Sequence, residues 1–287
     1  MKPNILLIVI DSLRADRIFG KQKTASSPFI DSLIKKGVYF SNAITTSQYS
    51  SQAIQNIFTA RFLLDDRTTK KRYTKIHSTS SLLSLLKKYG YNTYAIIQDS
   101  LSAQGLKETF DNEDISFKSE DNLYNGLGER ILKKLDRITS PWFFYIHPED
   151  LHTPCVVPEE LGHLKLTERY DRNIFEIDSL IGQITKKINL DETIIVLTAD
   201  HGEYISPIQG ALKESTNIKI SIKNSIKKLI PRTILTKLHD KKRTLSGKIS
   251  ASKTNKPHEK RILVDRRESQ NKVLFDDIVH IPLLFTG

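Results

Sequence analysis

The chain has 287 residues and a formal net charge of +11, from 44 Lys and Arg against 33 Asp and Glu. That length suits one large α/β domain with a full core. The single Cys excludes an internal disulfide framework, and no apolar run is long enough to span a bilayer. Residues 1–10 lack a charged n-region followed by a cleavage site, so no signal peptide is expected there, and the location predicted is the cytoplasm or the membrane periphery.

In chain order, Asn4 to Ile10 is a continuous β-branched and leucine run. It predicts a strand buried on both faces, typical of a parallel sheet. The run ends at Asp11-Ser12. Ser27 to Lys36 predicts a helix leading into Val38-Tyr39-Phe40. Ser50 stands at the start of another helical pattern, where a serine ordinarily serves as an N-cap. Ser81 to Tyr89 predicts a helix that stops at Gly90 and feeds a strand over Thr93–Ile97. Residues 121–137 predict one amphipathic helix, and Trp142 to Ile146 an aromatic core strand. Ile194 to Leu197 predicts a further buried strand, followed by Thr198-Ala199-Asp200-His201-Gly202-Glu203. Ile281 to Phe285 reads as a last strand. This alternation predicts an α/β fold, a mostly parallel or mixed sheet sandwiched by helices.

Two of these strands end in an acid, Asp11 and Asp200, the second followed by His201. An open α/β sheet places its chemistry at the carboxyl ends of its strands, and Asp and neutral His are good ligands for a divalent metal. Taken singly, Asp11 reads as a helix cap and Asp200-His201-Gly202 as a polar turn. Taken together, they bring both acids to one metal.

Charge is concentrated in one segment. Ala211 to Lys272 holds 18 Lys or Arg against 5 Asp or Glu, so the rest of the chain is close to neutral. Its Ser, Thr, Asn and Lys content predicts a flexible, solvated insertion over 205–271. Ile222, Ile226, Leu229 and Leu235 could form an apolar stripe, interrupted at Pro231. Residues 211–270 suit peripheral contact with an anionic membrane or an acidic glycan. No recognition motif supports specific nucleic-acid binding.

Five segments carry a family resemblance. Lys2-Pro3-Asn4 through Asp16 resembles the opening of the sulfatase and alkaline-phosphatase-like superfamily, and Thr198 to Glu203 is similar to its second metal signature. Tyr170 to Gly182 resembles the long helix preceding that signature, and Asp150-Leu151-His152-Thr153-Pro154 its Asp-x-His-x-Pro loop. Lys272 to Leu283 is similar to the segment that closes the family's active site. The phosphoglycerol-transferase-like branch also falls within this resemblance, which implies an alkaline-phosphatase-like fold. The family places its nucleophile about nine residues before a Thr-Gly-Arg. Thr59-Ala60-Arg61 fills that place, and counting back from Thr59 gives Ser50, with Ser51 one register away.

The resemblance implies one divalent cation (Ca, Mn, Zn or Mg) held by Asp11, Ser50, Asp200 and His201. It implies Ser50 as nucleophile, His152 or His280 as donor to the leaving oxygen, and Lys272 and His280 as substrate-binding residues. Ser12 stands where many relatives carry a second metal Asp, which favours one metal over two. Ser50-Ser51-Gln52-Ala53-Ile54 lacks the Cys-x-Pro-x-Arg, or its Ser version, that is oxidised to formylglycine. An unmodified serine suits phosphate esters better than sulfate esters, because a phosphoserine is resolved by in-line attack of water or an alcohol.

The function expected is therefore metal-dependent hydrolysis or transfer of an anionic phosphate or sulfate ester, on a substrate that is glycan- or lipid-linked. The alternative is an attenuated member that binds membrane or acidic glycan through the basic insertion. The missing Gly-Glu-His-Gly and the end at Gly287, before the family's smaller C-terminal subdomain, motivate the alternative. The domains expected are a catalytic core over 1–204, the insertion over 205–271 and a closing segment over 272–287.

Overall fold

A computed structural model describes residues 2–60, 81–101, 106, 109–118, 121–205 and 276–287. Nearly all of these belong to one compact unit, Met1–Tyr204 with Phe275–Gly287. Of the remaining unit, Ile205–Leu274, only Ile205 is described, so the predicted insertion lies outside the described residues.

The described strands are β1 (Asn4–Ile10), β2 (Val38–Tyr39), β3 (Asn92–Gln98), β4 (Ser116–Phe117), β5 (Trp142–Ile146), β6 (Thr193–Ala199) and β7 (Leu283–Thr286). They form one sheet in the order β2-β7-β6-β1-β5-β3-β4. β1 runs parallel to both β5 and β6, and β3 runs parallel to β5 and β4. β7 is antiparallel to β6 and to β2, which makes the sheet mixed at one side.

The helices are α1 (Ala15–Ile18), α2 (Pro28–Lys36), α3 (Ser50–Thr59), α4 (Leu82–Lys88), α5 (Asp99–Leu101), α6 (Leu127–Leu135) and α7 (Leu166–Lys187), with a last short helix at Asp276–Val279. Alternate residues of β1 point to opposite faces. Leu7 and Val9 pack with Ile54 and Phe58 of α3, Leu83 and Leu86 of α4, and Ala95 and Ile97 of β3. Leu6, Ile8 and Ile10, also buried, face the other way. α2 and α6 both pack on α7. Gly182 of α7 permits the α2 contact, since a Cβ there would lie 2.6 Å from the Phe29 ring. Asp178 of α7 supplies the cap that Ser27 does not, accepting from Ile30 N at 2.7 Å and Phe29 N at 3.2 Å.

Two sequence expectations shift. The single helix expected over 121–137 is a short turn at Leu123–Asn125 followed by α6, because Gly126 takes φ +101° and breaks the run. The long helix extends beyond Tyr170–Gly182 to Leu166–Lys187. None of the described helices is long and apolar enough to cross a membrane.

Candidate active site

The site lies where three neighbouring parallel strands end. The β1–β6 register pairs Ile10 with Ala199, so Asp11 and Asp200 emerge side by side. The β1–β5 register pairs Ile8 with Ile146, which sets His147 beside them. Asp11 N donates to Pro148 O at 3.0 Å, tying the ends of β1 and β5 together. Asp11 is 3% exposed, and Asp200 and His147 are fully buried.

Ser12 organises both carboxylates. Its hydroxyl donates to Asp11 Oδ1 at 2.6 Å and its backbone N–H to Asp200 Oδ1 at 3.2 Å. His201 N adds a bond to the same Asp200 oxygen at 2.8 Å. With both Oδ1 atoms engaged, both Oδ2 atoms face one point. Ser12 reaches its place with φ +64°, a left-handed conformation unusual for a residue with a side chain. Tyr170 of α7 fixes that turn, donating to Ser12 O at 2.7 Å and accepting from Arg14 N at 2.9 Å.

Ser50 enters from α3. The N-cap of this helix is Tyr49, and Ser50 is its first residue. Its Oγ donates to Asp11 Oδ2 at 3.3 Å and lies 3.1 Å from His201 Nε2. The capping reading of Ser50 is thereby replaced by a place in the cluster. His201 Nδ1 lies 2.8 Å from Gly202 O, which can only accept, so the ring proton sits on Nδ1 and the Nε2 lone pair faces Ser50. Gly202 is required because a Cβ would lie 2.2 Å from Asp277 O.

Burial raises the carboxyl pKa of Asp11, but His147, His201 and Ser12 more than offset that and hold it well below the usual carboxylate range. Burial and then the Asp11 charge push Asp200 up. Burial pulls both imidazoles down, yet the two carboxylates prevail and raise His147 and His201. Glu149 is pushed up to about 7 by burial and the Asp11 charge.

These residues fit a divalent cation. Asp200 Oδ2 is buried without a hydrogen-bond partner, and Asp11, Asp200 and His201 bring together oxygen and nitrogen donors of the kinds that ligate divalent metals. Ser50 Oγ to His201 Nε2, Ser50 Oγ to Asp11 Oδ2 and His201 Nε2 to Asp200 Oδ2 measure 3.1, 3.3 and 3.6 Å. Four ligands at about 2.0–2.1 Å from a tetrahedral ion stand ~3.3 Å apart. Asp11, Asp200, His201 and Ser50 could therefore hold one ion.

None of the described hydrogen bonds joins the other expected residues to this cluster. His152 is exposed, with Nδ1 3.1 Å from Thr153 O, and none of the described hydrogen bonds joins it to Ser50. His280 Nε2 donates to Ser41 O at 2.7 Å, an anchoring contact in the loop before β7. Lys272 lies outside the described residues. Cys155 is buried, its thiol directed to Leu151 O at 3.3 Å. His147 and Glu149 were not anticipated. The available signal was that His147 follows the last residue of a buried strand, as Asp11 and Asp200 do.

Comparison with known proteins agrees with this architecture. The model of the family named Sulfatase matches residues 3–259. An uncharacterized protein of Haemophilus influenzae is 24% identical over 207 residues, covering 70% of this chain and 32% of that protein. The chain thus spans about a third of that relative's length. Among solved structures, the C-terminal periplasmic domain of the phosphoethanolamine transferase EptC from Campylobacter jejuni has a TM-score of 0.56 at 14% identity, covering 99% of this chain and 79% of that one. The lipoteichoic acid synthase LtaP from Listeria monocytogenes has a TM-score of 0.58 at 14% identity, covering 99% of this chain and 65% of that one. These likenesses show an alkaline-phosphatase-like fold.

Proposed function

This chain belongs to the sulfatase family, and from that premise we propose that it is a metal-dependent hydrolase or transferase of phosphate esters with Ser50 as its nucleophile. The observation that carries this reading is the placement of Ser50 Oγ between Asp11 Oδ2 and His201 Nε2, at the first residue of α3. A helix N-terminus favours both an anionic nucleophile and an anionic substrate.

Asp11, Asp200, His201 and Ser50 hold the cation, which when bound lowers the serine pKa and offsets charge on the transferred group. Ser12 keeps both carboxylates aimed at that point. The Ser50 hydroxyl loses its proton to solvent, its oxygen attacks phosphorus in line, and the bond from phosphorus to the leaving alcohol breaks. His152 is assigned the proton transfer to the leaving oxygen on the family resemblance. Lys272 and His280 are assigned to the substrate's anionic oxygens on the family resemblance. Water or an acceptor alcohol then attacks the phosphoserine and frees Ser50. The absence of Pro-x-Arg after Ser50 supports phosphate over sulfate, and the EptC likeness suits it. The anionic ester is glycan- or lipid-linked, with residues 211–270 contacting the membrane periphery.

The test is turnover of an aryl phosphate and an aryl sulfate with added Mn²⁺, Zn²⁺ or Ca²⁺. Phosphate turnover abolished in Ser50→Ala is the expected result, together with an unmodified mass for the peptide spanning Ser47 to Arg61. Formylglycine at residue 50 with preference for the sulfate would overturn the phosphate reading. Metal binding without turnover of any ester would favour an attenuated binding protein, which the charge of residues 211–272 would then serve.

A further inference from the structure

The two sides of α3 have different surroundings. Ile54 and Phe58 pack into the core with Leu7 and Val9. Ala53, Ile57 and Ala60, successive turns beyond Ser50, instead line a cavity of about 420 Å³. Its floor is the sheet, at Leu7, Val196 and Leu283, and Ile44, which also lines it, is 66% exposed, so the cavity opens to solvent. Leu7 and Val196 are register partners, four residues before Asp11 and Asp200 and on the same face of their strands. At ~3.3 Å per residue the floor reaches back ~13 Å from the two acids, beneath the strand ends.

The lining decides the guest. Among the described residues, no charged or aromatic side chain contributes to it. Its polar side chains already have partners: Thr198 Oγ1 donates to Pro282 O at 2.8 Å, Thr45 Oγ1 to Asp200 O at 2.5 Å, and Asn56 Nδ2 to Thr46 Oγ1. A sugar, a nucleotide or an anion would leave its own polar groups unmatched there, at a cost in desolvation. What remains is aliphatic surface from Leu, Ile, Val and Ala. The volume falls within the ~300–1,000 Å³ usual for small-molecule sites, and an apolar cavity takes apolar guests in preference to ordered water.

We propose that this cavity binds the aliphatic chain of a neutral amphiphile, at a site separate from the one that takes the ester. With Ser50 as the attacking group, the leaving alcohol departs on the far side of phosphorus, whereas the cavity lies behind Ser50 along α3. The bound chain packs against Ala53, one turn from Ser50, and beside Thr45, which holds the Asp200 carbonyl. It thereby braces the helix that presents the nucleophile against the turn that carries Asp200 and His201.

The test uses the full chain stripped of metal, a neutral naphthylamine dye that fluoresces in apolar sites, and its displacement by hexanol, octanol and decanol. Neutral probes report on the cavity without drawing on the basic segment or on metal-dependent chemistry, so the result stands apart from that of the phosphoester assays. One saturable dye site per chain is expected, with each added CH₂ of the alcohol tightening displacement about fourfold. Filling the cavity from opposite walls, with Ile57→Phe and Leu283→Phe, should each weaken decanol binding at least roughly tenfold, as the loss of two buried CH₂ contacts would. Both positions are only partly buried, and Leu283→Phe carries the test if Ile57→Phe fails to fold. Saturating inorganic phosphate should leave decanol binding unchanged. Affinity independent of chain length, or undiminished in both variants, overturns the site, and displacement of decanol by phosphate overturns its separateness from the ester site.

Discussion

Ser12 and Gly202 show how single residues set the site. Ser12 uses its hydroxyl and its backbone N–H to turn two acids inward, and Gly202 lets the chain pass against Asp277 O. Gly202→Ala should cost about 1–3 kcal/mol by forcing that backbone contact apart, and should weaken metal binding because Asp200 and His201 move with it. Urea denaturation and a metal titration would check it; an unchanged midpoint contradicts the close approach. Ala60 closes α3 with φ +52°. A left-handed alanine costs ~1–2 kcal/mol, against the ~0.4–1 kcal/mol that glycine loses through its freer unfolded chain. Ala60→Gly should therefore stabilise the fold by roughly 0.5–1 kcal/mol, read as a higher denaturation midpoint. At this scale Asp11, Asp200, His201 and Ser50 were legible, because each follows a recognisable strand or begins a recognisable helix. His147 was not, since it acquires meaning only once β5 is known to lie beside β1. The bond from His280 Nε2 to Ser41 O is likewise a contact that only the fold reveals.

Among the elements, α7 does more than cover the sheet. Tyr170 pins the turn after β1, and Asn173 donates to Asp150 O, fixing the loop that carries His152. Tyr170→Phe leaves Arg14 N and Ser12 O unpaired in a buried place, a loss of about 1–3 kcal/mol. It should also weaken metal binding at the Asp11 end, whereas stability lost with unchanged metal affinity would show that the turn holds itself. Asp111 joins β3 to α4, accepting from Thr93 N at 2.7 Å and from Lys87 at 2.7 Å. Partial burial raises its pKa, but these donors prevail and hold it below the ordinary aspartate range. A depressed carboxyl stabilises the fold above its unfolded pKa and loses that contribution as pH falls through the folded one. The melting temperature of wild type should exceed that of Asp111→Asn at pH 7, with the gap closing below about pH 4; a constant gap contradicts this. The parallel strands were readable as uninterrupted apolar runs. The break at Gly126 was not, because a glycine inside an amphipathic pattern does not announce its φ. Nor was the antiparallel direction of β7, which its pairing with β6 alone decides.

For the whole molecule, charge is unevenly divided along the chain. The sheet and its helices form the described unit, while the positive charge belongs to Ala211–Lys272. If that segment meets an anionic surface, sedimentation with anionic vesicles should be strong at low salt and fall as ionic strength rises. Equal binding to neutral vesicles would contradict an electrostatic contact. The central claim is that Ser50, held between Asp11 and His201, takes up the transferred group. The measurement that reaches it most directly is mass spectrometry of the metal-loaded chain, acid-quenched during turnover of an aryl phosphate. The account predicts one added phosphoryl group on Ser50, within the peptide from Ser47 to Arg61, and none in Ser50→Ala. Product formation undiminished in Ser50→Ala, or the phosphoryl group found on another residue, would contradict it.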